Sequence, residues 1–300
     1  MTAVYQAKNA GRRSRCDIRG LDIAVTEWGD PEAPRFFYLH GWGDNGQTFQ
    51  FVVDELQKDW HIVAPHWRGF GLSVHTGGYW FPDYLADLHA LLALYSDGQP
   101  VDLVGHSMGG NVASLYSGVF PEHVRTLINV EGFGLPDSDA SAAPERLRRW
   151  IEAENATPRY ATYRAFEPLA MRVRARSPRL SQERALFVAE AWASRHADDV
   201  VRLHADPAHK LPNPILYRAA EALACWSSIR ANVTMMVGGT SSEREHAERF
   251  RATVTDAGVA ALKHENVTGV GHMIHFEAPE TIARVIERDL IRDHSFSALS

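Results

Sequence analysis

Val101-Asp102-Leu103-Val104-Gly105-His106-Ser107-Met108-Gly109-Gly110, continued by Asn111 to Phe120, is the stretch whose reading decides the fold. Val101–Val104 reads as a short strand, and Met108–Phe120 as a helix. Between them the chain must turn from strand to helix within a few residues. Glycines at 105 and 109 flank that turn because side chains would not fit there. The turn forces the central serine into a strained, exposed position above the carboxyl edge of a sheet. A bare G-x-S-x-G arises by chance in roughly one chain of this size in ten, from Gly and Ser usage of about 7% each. The strand–turn–helix context makes the match far more specific, and against a mere turn serine it favours Ser107 as a nucleophile.

Outward from this turn, short β-rich runs alternate with helical runs. Ile18 to Trp28 alternates apolar and polar residues and reads as an edge hairpin or strand, closed by the turn Gly29-Asp30-Pro31. Phe36–Leu39 reads as a buried strand, Ile62–Ala64 and Thr126–Val130 as further strands, and Thr48–Leu56 and Tyr84–Tyr95 as helices. The alternation resumes near the C-terminus with a strand at Val233–Val237, a helix at Glu243–Thr253, a strand at Val259–His264 and a helix at Pro279–Arg292. Such alternation implies βαβ units in an α/β fold with a mostly parallel central sheet flanked by helices. Between Leu135 and Ile229 it stops. Helical patterns at Pro144–Glu154, Ala161–Val173, Gln182–Arg195 and Ile215–Ile229 are broken by prolines, with no strand candidate. Residues 1–134 and 231–300 are therefore expected to form one α/β core, and residues 135–230 an all-helical insertion.

A serine hydroxyl is a weak nucleophile until a base takes its proton. Histidine suits that task, and among fifteen histidines position must decide. His272 lies in Val270-Gly271-His272-Met273, the loop between the last strand and the C-terminal helix, which emerges at the same sheet edge. Its rival His275 sits nearer the helix start and is expected to pack or cap. The third partner should be a carboxylate between Ser107 and His272 in the chain. Glu131 directly follows the strand ending at Val130 and is the candidate, although a strand-end glutamate can also serve only in a salt bridge. After the next strand, ending at Val237, no acid comes until Glu243, which is the alternative third member but looks like first-turn helix chemistry. An anionic tetrahedral intermediate needs N–H donors. His40-Gly41-Trp42-Gly43 follows an apolar strand, so the backbone N–H groups of Trp42 and Met108 are the candidates. His40 is expected to bond beneath the turn, and Trp42 to wall a pocket or pack in the core.

Composition narrows the partners. A net charge of −6 without a Lys/Arg stripe argues against nucleic acid. Arg172, Arg174 and Arg176 read as a solvated face. Cys16 and Cys225 are too far apart in the chain for a disulfide framework or zinc spacing, and Cys225 reads as a small core residue. No dinucleotide fingerprint or phosphate loop is present, so no cofactor is implied. The N-terminus lacks an apolar signal core, and no run of about 18 apolar residues suggests a membrane span. A cytoplasmic protein acting on a small molecule is the expectation.

Taken together, His40-Gly41-Trp42, Arg68-Gly69-Phe70-Gly71-Leu72-Ser73, Gly105-His106-Ser107-Met108-Gly109-Gly110 and Gly271-His272 resemble the α/β-hydrolase superfamily over nearly the whole chain. That resemblance implies a serine–acid–histidine triad under a helical cap, matching Ser107, Glu131, His272 and residues 135–230. The runs His40–Asn45 and Asp206–Pro214 look like its serine-hydrolase-like branch. The family often has Asp before the Arg-Gly turn, where this chain reads Pro65-His66-Trp67-Arg68. An acid after the sixth strand is similar to some haloalkane dehalogenases. Those use an aspartate nucleophile, as epoxide hydrolases do, so Ser107 argues against both activities. The expected chemistry is hydrolysis of a small to medium apolar carboxylic ester through an acyl-enzyme. Amide, lactone, thioester or carbon–carbon bond hydrolysis would use the same triad, and the alternative is a receptor-like ligand-binding member of the same fold. The cap aromatics and aliphatics (Trp150, Tyr160, Tyr163, Phe166, Leu169, Met171, Phe187, Trp192) would either line an apolar substrate pocket or only pack the cap's own helices.

Overall fold

Side chains along a strand point alternately to its two faces, so a sheet of short, mostly apolar strands needs cover on both sides. The computed structural model, which describes residues 3–137, 139–155, 158–259 and 262–294, meets that requirement. In chain order its strands are β1 (Arg12–Ile18), β2 (Leu21–Trp28), β3 (Arg35–Leu39), β4 (His61–Pro65), β5 (Val101–His106), β6 (Val124–Val130), β7 (Ala193–Arg195), β8 (Val201–Leu203), β9 (Asn232–Gly238) and β10 (Leu262–Val267). The helices are α1 (Gln50–Val53), α2 (Phe81–Tyr95), α3 (Met108–Val119), α4 (Ala143–Glu154), α5 (Glu167–Arg176), α6 (Gln182–Trp192), α7 (Ala219–Trp226), α8 (Arg244–Asp256), α9 (Ile274–Glu277) and α10 (Pro279–His294). Eight strands form one sheet in the order β1-β2-β4-β3-β5-β6-β9-β10. Only β2 pairs antiparallel, with β1 and β4; every pairing from β4 to β10 is parallel.

The alternation sorts the core into two layers. Phe37, Leu39, Leu103, Leu127 and Met235 face one side and pack with Leu88 and Leu91 of α2, Val112 and Tyr116 of α3, and Phe250 of α8. Phe36, Tyr38, Val104, Ile128 and Met236 face the other and pack with Phe49, Val52 and, from α10, Ile282, Val285 and Ile286. In place of the family's Asp before the Arg-Gly turn, His66 is buried with its Nε2 3.0 Å from Thr26 Oγ1, and Arg68 forks onto Asp87 of α2 at 2.6 Å through two nitrogens.

Three expectations change. The hairpin's first strand begins at Arg12, earlier than the apolar pattern, because β1 is an edge strand and most of its side chains are not buried. Thr48–Leu56 is a 3-10 turn at Gly46–Phe49 followed by the single-turn α1. The last strand lies at Leu262–Val267 instead of Val259–His264; it too is an edge, whose mixed exposure leaves little periodic signal. Residues 260 and 261 of the expected strand lie outside the described residues.

The insertion leaves the sheet after β6 and returns at β9. It is not all-helical: β7 and β8 pair antiparallel, and Tyr163 bridges to Val201. Three-residue strands are too short to give an alternation signal, and Ala193-Ser194-Arg195 reads as a continuation of α6. Leu169, Val173, Leu186, Val188 and Val201 form a third apolar cluster that closes on Phe51 and Phe276 from the sheet half. Polar ties help fix it there, among them Trp192 Nε1 donating to Asp44 Oδ1 at 2.7 Å and Asn45 Nδ2 donating to Ala191 O at 2.8 Å. The Asp206–Pro214 run docks on the Arg68–Leu72 turn, with the His209 ring stacked between Phe70 and Tyr79 at 3.8 and 3.7 Å. Cys225 is half-buried rather than a full core residue, and both cysteines are free thiols. Among the described residues no helix is long and apolar enough to cross a membrane.

Candidate active site

β5 delivers Ser107 to the carboxyl edge of the sheet with φ 52° and ψ −116°, a left-handed conformation that an L-residue adopts only when its surroundings impose it. The surroundings here are backbone. A Cβ on Gly105 would lie 2.6 Å from Gly109 O, and one on Gly109 would lie 2.0 Å from Leu39 O. The turn is pinned by Ser107 N–H donating to Val130 O at 2.8 Å and by Asn111 N–H donating to Ser107 O at 2.9 Å.

His272 stands in the loop between β10 and α9, with its Nε2 2.9 Å from Ser107 Oγ and its Nδ1 3.0 Å from Glu131 Oε2. With Nδ1 donating to the carboxylate, Nε2 is left as the acceptor for the serine hydroxyl. Glu131 follows β6 at φ 62° and is buried. Its Oε1 accepts from Gly238 N–H, and its Oε2 accepts from Ser241 Oγ as well as from His272, so the buried charge is hydrogen-bonded on every side it needs. Glu243, the alternative acid, lies elsewhere: it is the residue before α8 and pairs with His246 at 3.2 Å. The structure thus brings Ser107, His272 and Glu131 together and leaves Glu243 out.

The imidazole of His272 is positioned by its own backbone. His106 Nε2 donates to His272 O at 2.9 Å, and Gly271 N–H donates to Glu277 Oε2 at 3.1 Å. Burial pushes His106 well below the ordinary histidine range, which keeps it neutral. His275, expected to pack or cap, packs: it is buried, with its Nε2 3.1 Å from Asp44 Oδ2. Burial raises the Asp44 carboxyl, but the hydrogen bond and charge of His275, with help from His40 and Trp192, bring it below the usual carboxylate range. Asp44, His106 and His275 each bring one possible ligand atom within 4.8 Å of the others. The two Asp44 oxygens are already engaged by Thr48, Trp192 and His275, so the cluster works as a clamp under the His272 loop. His40 bonds beneath the turn as expected, its Nε2 accepting from Trp67 N–H at 2.9 Å, and burial lowers it to about 4.

Above this edge lies a cavity of about 900 Å³ whose wall includes Ser107, His272, Trp42 and Phe276 from the sheet half and Tyr160, Leu169 and Trp192 from the insertion. Trp42 is 53% exposed, so it walls the cavity instead of packing in the core. A smaller cavity of about 210 Å³ lies against Trp42, Met108 and Trp150. Met108 opens α3, where the first N–H groups have no partner within the helix. The cap aromatics and aliphatics divide: Tyr160, Tyr163, Leu169 and Trp192 line the large cavity, Phe166 and Phe187 pack in the insertion's cluster, and Met171 is exposed. Arg172, Arg174 and Arg176 are exposed, but not as one solvated face. Arg172 and Arg176 line the cavity, while Arg174 turns to Leu180 O.

Residues 34–279 match the model of the alpha/beta hydrolase fold family. The chain belongs to the α/β-hydrolase family. It is 27% identical over 293 residues to a serine hydrolase-like protein of Danio rerio, covering 93% of this chain and 88% of that one. It is 26% identical to the lipase LipV of Mycobacterium tuberculosis over 90% of this chain and 98% of the other. Among solved structures it superposes on the thioesterase domain from the curacin biosynthetic pathway with a TM-score of 0.83 and 26% identity, over 94% of this chain and all of that one. On this kinship the chain is a hydrolase.

Sequence reasoning passed over three members of this hydrolase's site. Ser241 lies in the segment after Val237 that holds no acid, yet it holds Glu131. Asp44 and His106 stood inside quoted motifs without a role. A polar residue within an otherwise apolar or glycine-rich run is the signal that could have flagged them.

Proposed function

We propose that this protein is a serine hydrolase that cleaves a carboxylic ester through Ser107, His272 and Glu131. The observation that carries the reading is the unbroken chain from Ser107 Oγ through both His272 nitrogens to a buried glutamate, at 2.9 and 3.0 Å. As Ser107 Oγ attacks the carbonyl carbon, His272 Nε2 takes its proton, and Glu131 stabilises the resulting imidazolium. The Trp42 and Met108 N–H groups hold the oxyanion. Collapse of the tetrahedral intermediate expels the alcohol with the proton from His272, and a water activated by the same imidazole releases the acid. Residues 135–230 act as the cap that encloses the acyl and alcohol pockets, and their apolar lining suits a small to medium substrate. The similarity to a lipase favours an oxygen ester. The similarity to a thioesterase domain makes a thioester the second class, reached by the same acyl transfer.

Labelling with a fluorophosphonate tests the reading. Wild type is expected to label once per chain, while Ser107→Ala and His272→Ala do not. A wild type that stays unlabelled with a probe small enough for the cavity would mean that Ser107 is not activated, and would favour a ligand-binding protein.

A further inference from the structure

The insertion gives the large cavity three cations, Arg172 and Arg176 of α5 and Lys210, whereas the cavity's one carboxylate is Asp44, whose oxygens are engaged in the clamp. Arg172 donates to Tyr163 OH at 2.8 Å, and Lys210 donates to Arg159 O at 2.6 Å while lying over the Tyr160 ring. These are neutral partners. Among the described residues none of the three cations makes an ion pair with a carboxylate. Residues four apart share a helix face about one turn apart, so α5 turns two guanidinium groups toward one wall and sends Arg174 to another. The chain as a whole carries −6, so this local excess of positive charge is not a spill-over of composition. Cations gathered on one wall bias the field of the cavity toward an anion, and a guanidinium fork matches a carboxylate in two parallel hydrogen bonds.

We infer that the substrate is an anionic ester, with its scissile carbonyl at Ser107 and a carboxylate at its far end that meets Arg172 and Arg176. The inference rests on the hydrolase reading and names its substrate class. The carboxylate makes and breaks no bond: ester and water give acid and alcohol through the acyl-enzyme, and the remote charge only binds. Because Ser107 lies on the sheet half and the arginines on the insertion, the substrate spans the cavity between them.

The test pairs each anionic ester with its methyl ester, which has the same shape without the charge. Mono(4-nitrophenyl) adipate against methyl 4-nitrophenyl adipate places the charge on the acyl side, and 4-butanoyloxybenzoate against its methyl ester places it on the alcohol side. In one pair kcat/KM should favour the anion by about tenfold or more at low salt, the size of one charge-assisted contact. The ratio should shrink with rising salt and fall toward one in Arg172→Gln/Arg176→Gln. Cleavage of both members at equal rates, or a preference that survives the double substitution, overturns the inference and leaves the hydrolase reading standing. Calorimetry with the inert amides N-methyladipamate and N,N′-dimethyladipamide separates the two readings. Arginine-dependent binding of the anion without cleavage of any ester supports the anion site and sinks the hydrolase, and absence of binding to either amide overturns the inference.

Discussion

Glu131, in the sheet half of the site, is held by Gly238, Ser241 and His272, whereas Arg176, in the insertion half, makes no ion pair among the described residues. The same contrast runs through the neighbours of each. His272 is fixed through its ring and its backbone, and Asp44 and His275 clamp the loop beneath it. On the other side, Met171 is 67% exposed and Arg172 has a phenol for its partner. The sheet half is preorganised to hold charge as it develops in a reaction. On the proposed reading, the insertion half offers cations that make no ion pair among the described residues for a ligand to complete. A scaffold that fixes the chemistry and a cover that reads the substrate can vary separately, which is how one fold serves many substrates.

The largest effect should come from breaking the sheet half at its buried charge. Glu131→Gln keeps the shape but loses the anion that orients and charges against the His272 imidazole. The expected fall in kcat is about 10³- to 10⁴-fold, the scale of an amide for carboxylate exchange in a triad. Glu243→Gln should stay within about threefold, since surface changes away from the site act weakly. Steady-state kinetics on one nitrophenyl ester reads both, and equal losses in the two variants would refute the assignment of the acid.

Acid should strike both halves, but unequally. Burial lowers His40 to about 4 and His66 to about 3 and pushes His106 well below its ordinary range, all in the sheet half; in the insertion, burial lowers His209 to about 4. Between pH 6.5 and about 4 the unfolded chain takes up protons that these folded residues refuse. Their contribution is therefore complete above pH 6.5 and is lost as pH falls through that window. His40 alone accounts for up to roughly 3 kcal/mol by pH 4 at 1.36 kcal/mol per unit. Urea midpoints are expected to drop steadily from pH 7 to 4.5, and a midpoint that does not move over that range would contradict the histidine burial.

The smallest effect probes the seam. Trp192→Phe removes the indole donor to Asp44 and should cost about 1.5–3 kcal/mol, the range for a hydrogen bond to a charged group. The loss should appear in amide exchange as faster opening of α5 and α6, with β5 and β6 unchanged. Equal acceleration in the sheet would mean that the two halves open as one unit.

Much of this was legible in the chain. The strand–Gly–His–Ser–Met–Gly–helix run specified the turn, because only glycine fits where backbones approach within van der Waals contact. The apolar block at Phe36 and the short β-rich runs at Val101 and Thr126 specified parallel strands, because a strand buried on both faces shows no strict apolar/polar alternation. Position in the alternation pointed to His272 and Glu131, since residues that directly follow parallel strands collect at one edge. What was not legible came from weak or absent periodicity: the edge strands β1 and β10, and the three-residue strands β7 and β8.

The sequence by itself therefore determined the α/β architecture, the strained serine and the candidate partners at the sheet edge, because these depend on local periodicity and on glycine. Only the tertiary structure set Glu131 rather than Glu243 against His272, joined Ser241 to it, set Asp44, His106 and His275 beneath the His272 loop, and turned Arg172 and Arg176 into the cavity. Each of those depends on which side chains meet across tens to hundreds of residues, and hydrogen-bond and charge partners at such separations leave no period in the chain.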